Sequence, residues 1–81
     1  MVPKGGHPMD PQTVKFAIGD MLKNMSTRLD DASAIAKAAT ACAESGNHEQ
    51  AVTIALDIEQ LIYEVNTLLN AASLINRCRK A

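Results

Sequence analysis

A single interruption constrains this chain more than any other feature. Beyond Pro11 there is no proline, and the only glycines are Gly19 and Gly46. Ser45-Gly46-Asn47 separates two long stretches, each periodic from end to end. A glycine just past a helical run is a natural stop, because positive φ costs it no Cβ clash. Asn47 can then cap the next run, and Gln50 three residues later gives the spacing of a capping box. With so short a connection, the two helices must be antiparallel neighbours.

The first helix opens on Asp10 as N-cap and Pro11 at the first helical position, where a missing N–H costs nothing. Val14, Ile18, Met21, Met25, Leu29, Ala32, Ala36, Ala39 and Ala43 recur at steps of three and four and define its inner face. Lys15, Asp20, Lys23, Arg28, Asp30, Lys37 and Glu44 are assigned to the outer face. Gly19 is the weak link, costing about 1 kcal/mol relative to alanine. The expected boundaries are a helix over 11–45, a turn at 46–47 and a helix over 48–79.

The second helix follows a heptad. Ala51, Ile58, Val65 and Ala72 form one seam line, and Ile54, Leu61, Leu68 and Ile75 the other. Ala55, Ile62 and Leu69 widen the stripe beyond what a two-stranded coil needs. Folding the hairpin about Gly46–Asn47 sets Ala39 against Ile54, Ala32 against Leu61, Met25 against Leu68 and Ile18 against Ile75. The expected fold is therefore all-α: a long antiparallel helical hairpin. Each helix would be roughly 50 Å long, and two bare helices leave so wide a stripe uncovered. Dimerisation into a four-helix bundle is the simplest cover. That architecture resembles the ROP-type hairpin dimer, a likeness of fold that carries no function. Ile54, Ile58, Leu61, Ile62, Val65, Leu68, Leu69 and Ile75 are the expected interface core.

Composition supports this class. Of 81 residues 47% are hydrophobic but only 2% aromatic, too few for a typical sandwich or barrel core. Residues 1–9, with Gly5-Gly6 between Pro3 and Pro8, fit a flexible tail, either native or a remnant of a vector's thrombin site, and stand outside the fold reading. No apolar run approaches the roughly 20 residues that span a bilayer, and no signal-peptide core is visible. A cytoplasmic protein with reduced thiols is expected.

The turn resembles the middle of a tetratricopeptide repeat, in which Gly-x-aromatic-x-x-Ala joins two helices. Gly46, His48 and Ala51 hold that spacing. At the repeat's large helix-A positions stand Ile35, Ala38, Ala39 and Cys42, mostly small. Both helices outrun the repeat and no second copy exists, so the likeness is one of turn chemistry.

No catalytic constellation, phosphate loop or nucleophile elbow is present in the sequence, and no enzyme activity or cofactor is expected. Cys42, Glu44, His48 and Glu49 cluster near the turn, but an exposed first-turn histidine beside a helix-favouring glutamate accounts for them without a metal. Cys42 and Cys78 sit near opposite ends of a hairpin, so a bridge would need a second, antiparallel chain; two inert thiols are the simpler expectation. Tyr63, Thr67, Asn70 and Ser73 form an uncharged row, a candidate partner surface with one aromatic anchor. Arg77, Arg79 and Lys80 suit the negative pole of the helix dipole and are also candidate phosphate contacts. A net charge of −1 and the lack of interleaved aromatics argue against nucleic acid. The leading expectation is a protein–protein interaction or structural module, binding itself or another helical protein. A small nucleic-acid-binding regulator is the alternative.

Overall fold

The computed structural model describes residues 10–80. The expected tail, residues 1–9, lies outside the described residues, as do the side chains of Arg79 and Lys80. The chain forms α1 (Pro11–Glu44), α2 (His48–Ala55) and α3 (Asp57–Lys80).

Local chemistry sets the ends. Asp10 is extended (φ −86°, ψ 149°), and its carboxylate accepts from the Gln12 N–H at 3.2 Å and the Thr13 hydroxyl at 3.1 Å. At the far end Gly46 takes φ 96°. The Gly46 N–H donates to the Ala43 carbonyl at 2.9 Å and the Asn47 N–H to the Cys42 carbonyl at 3.1 Å. This pair of crossed bonds is the Schellman motif, which satisfies carbonyls that the helix end would orphan. Asn47 Oδ1 then accepts from the Gln50 N–H at 3.3 Å. The capping box is half made: the Asn47 N–H already serves Cys42, so Gln50 has nothing to return.

The second helix is not continuous. Leu56 separates α2 from α3, though its backbone stays near helical values (φ −62°, ψ −23°). The Glu59 N–H bonds to the Leu56 carbonyl at 3.1 Å, a three-residue step that tightens one turn. No glycine or proline stands there, so the sequence offers no local warning.

Both α2 and α3 pack along α1, giving a rod of 62 × 23 × 15 Å. The short dimension is little more than one helix with its side chains, about 10–12 Å, so the hairpin is a single layer. A single layer cannot enclose a large side chain. The buried residues are Val14, Ala32, Ala39, Ala51 and Ala72, and among the described residues no side chain is fully buried. Ile54, Ile58, Leu61, Val65, Leu68 and Ile75 are half-buried along the seam.

Three assignments on α1 change. Arg28 lies in the seam, half-buried, while Leu29 and Ala36 are exposed. The seam follows Met21, Arg28 and Ile35 at seven-residue intervals, beside Ile18, Met25 and Ala32. An arginine is tolerated because its alkyl stem covers apolar surface while the head group leaves at the edge.

Candidate interaction surface

The two broad faces of the hairpin, each an edge of the seam, differ. On one, the Arg28 Nε donates to Glu64 Oε1 at 2.9 Å, joining α1 to α3. Arg28 Nη1 also donates to the carbonyl and side-chain oxygens of Asn24, both at 3.3 Å. Gln60 completes the cluster, donating to Glu64 Oε2 at 2.9 Å. The hydrogen bonds from Gln60 and Arg28, with the charge of Arg28, hold the Glu64 carboxyl below its usual range. A shallow groove beside this pair is lined by Asn24, Arg28, Tyr63, Glu64, Thr67 and Leu68.

The other edge is apolar. Leu22, Leu29 and Ala36 recur at seven-residue intervals on the flank of α1 opposite Asn24. Ala55, Ile62 and Leu69 do the same on α2 and α3, opposite Glu64. In an antiparallel pair equivalent flanks meet, so both rows lie along one edge. The Arg28–Glu64 pair joins neighbouring levels of the two helices, so Leu22 lies near the level of Leu69, Leu29 near Ile62 and Ala36 near Ala55. Leu22 is 51% exposed, Leu29 46%, Ile62 41% and Leu69 48%. Outside these rows come Gly19, Ser26, Ser33 and Thr40 on α1, all small and uncharged, and Val52, Glu59, Asn66 and Ser73 on the second helix. Glu59 is the one charge among them.

The expected partner row is exposed throughout: Tyr63, Thr67, Asn70 and Ser73. It does not form one surface. Tyr63 and Asn70 share a line on the back of α3, Thr67 leans toward the polar edge, and Ser73 belongs beside Leu69 on the apolar edge. The Thr67 hydroxyl donates to the Tyr63 carbonyl at 3.0 Å, so it is already satisfied within its helix. Ile62 and Leu69, expected in the core, stand at its rim. Of the expected phosphate contacts Arg77 is exposed; the side chains of Arg79 and Lys80 lie outside the described residues.

Both thiols are free, Cys42 half-buried and Cys78 exposed. Cys42 Sγ lies 3.5 Å from the Asn47 carbonyl. Among the described residues no three His, Cys, Asp or Glu side chains are grouped to hold a metal ion, and no helix is long and apolar enough to cross a membrane. Sequence reasoning missed the polar edge. Its signal was a charged residue, Arg28, seven residues after Met21 and before Ile35.

Comparison with protein-family models, curated proteins and solved structures finds no match.

Proposed function

We propose that this chain is a non-enzymatic helical interaction module, a small adaptor, chaperone-like or regulatory subunit. It works by burying apolar helix faces against another helical protein or its own copy. The observation that carries the reading is a 15 Å-thick rod in which no described side chain is fully buried, although 47% of its residues are hydrophobic. A small domain with so little core needs a supplement to it, and association with another chain is one that a helical hairpin can supply. The cytoplasm is the proposed setting, where Cys42 and Cys78 would stay reduced.

Unfolding followed by circular dichroism over a hundredfold dilution tests this. Burial against its own copy links stability to concentration, so the midpoint should fall and helicity weaken as the protein is diluted; a chain that awaits a different protein should be weakly helical at every dilution. A dilute chain that stays fully helical and unfolds cooperatively at an unchanged midpoint contradicts the proposal.

A further inference from the structure

The hairpin is electrically polar along its length. The loop half, residues 30–63, carries six carboxylates (Asp30, Asp31, Glu44, Glu49, Asp57, Glu59) against one lysine, Lys37. The other half of the hairpin, residues 10–29 and 64–80, carries Lys15, Lys23, Arg28, Arg77, Arg79 and Lys80 against Asp10, Asp20 and Glu64. The apolar edge is graded in the same direction. Its apolar layer nearest the loop is Ala36 with Ala55, its middle layer Leu29 with Ile62, and its outermost apolar layer Leu22 with Leu69, beyond which the rows run on to Lys15 and Asn76.

We propose that a second copy of this chain covers the apolar edge, laid antiparallel with the loops at opposite ends. The two-fold axis passes at the level of Leu29 and Ile62. This rests on the interaction reading above and specifies its partner, face and orientation. Three observations carry it. Charge complementarity comes first: turning one copy end for end sets each acidic loop half on the other's basic half, whereas loops at the same end would stack acid on acid. Size comes second. The antiparallel turn sets the Leu22/Leu69 layer on the partner copy's Ala36/Ala55 layer, large on small at both ends, with Leu29 and Ile62 each meeting its own copy. Loops at the same end would press leucine on leucine at one end and leave alanine facing alanine at the other. Third, the level of Leu29 falls midway between the first turn of α1 and the loop, so both rods overlap over their full length.

The surface is suited to burial. The Thr40 hydroxyl on this edge donates to the Ala36 carbonyl at 2.9 Å, so that hydroxyl keeps its partner when covered, while Ser26, Ser33, Asn66 and Ser73 would find theirs across the contact. Leu22, Leu29, Ile62 and Leu69 are each between 41% and 51% exposed on this edge, apolar area that a second copy would remove from water.

The test combines mass with one distance, on the full chain. Leu29→Glu and Leu29→Lys should each halve the mass measured by light scattering. Mixing the two should restore the dimer, because Leu29 meets its own copy across the axis. Tyr63→Glu, on the back of α3, should remain dimeric. A spin label at Glu44→Cys, in a Cys42→Ala, Cys78→Ser background, should report about 45 Å between copies, from 1.5 Å per residue on each side of the axis. A separation under about 25 Å would place the loops together. That short distance overturns the orientation, and a Leu29→Glu variant that stays dimeric overturns the face. In both cases self-association, and with it the interaction reading, would stand. Charge variants that fail to re-pair on mixing, or a wild-type chain that is a folded monomer, overturn the proposal.

Discussion

At the scale of single residues, the clearest commitments are Gly46 and Glu64. Gly46 holds φ 96° with open space around its Cβ position, so the cost of replacing it is conformational. Gly46→Ala should destabilise the fold by about 1 kcal/mol, read as a lower midpoint in urea; an unchanged midpoint would mean the turn rearranges freely. Glu64 has a folded pKa below its unfolded one. The stability it contributes is therefore present above the unfolded value and lost as pH falls through the folded value. Glu64→Gln should lower the melting temperature near pH 7, and the gap from wild type should close as pH drops below the ordinary carboxylate range. A gap that persists unchanged in acid would show that the Arg28–Glu64 charge pair is not its source. Gly46 was legible in the sequence because it answers to local backbone chemistry. The role of Arg28 was not: a charge reads as outward-facing until a partner helix shows where its long stem can lie.

At the scale of elements, the ends of the helices followed their caps. Asp10, Gly46 and Asn47 all act through groups within five residues, which a sequence displays directly. The tightened turn at Leu56 has no such marker: no glycine or proline stands there, and the adjoining Asp57 reads as one more polar position of a continuous helix. Leu29 and Ala36 also needed the structure. Steps of three and four assign both to the inner face, but the seam is narrow, and the register of α1 on α3 puts Arg28 and Ile35 in it instead. Gly19 shows what the single hairpin leaves undetermined. An added Cβ there meets nothing within 4 Å, so packing of α1 on α3 gives no reason for glycine. Gly19→Ala should stabilise the helix by about 0.5–1 kcal/mol. Calorimetry showing a lower midpoint instead would mean another chain's atoms approach that position.

At the scale of the molecule, the governing fact is thickness. A rod one helix thick has an inside along only one line, and that line is filled mainly by alanine, with larger residues half-buried beside it. The all-α hairpin was legible because heptads and a lone turn leave little choice. What covers the apolar edge was not, because a stripe records that burial is needed and says nothing of the occupant. The polarity of charge and the gradient from leucine to alanine emerge only when the two helices are laid side by side. They also bear on the cysteines. Cys78 lies on the line of Glu64, along the polar edge and away from the proposed partner, so a bridge from Cys42 to the other chain's Cys78 is not expected. The mass of the assembly should be the same with and without reductant; a dimer that dissociates on reduction would show the copies meet elsewhere.

The central claim, that the hairpin is half of a structure, is tested most directly by solution mass, from light scattering coupled to size exclusion at several loading concentrations. The chain of 8.7 kDa should elute as a species of about 17 kDa that lightens toward the monomer on dilution, losing helicity as it does. A monomer at every concentration, fully helical and cooperatively folded, would contradict the account.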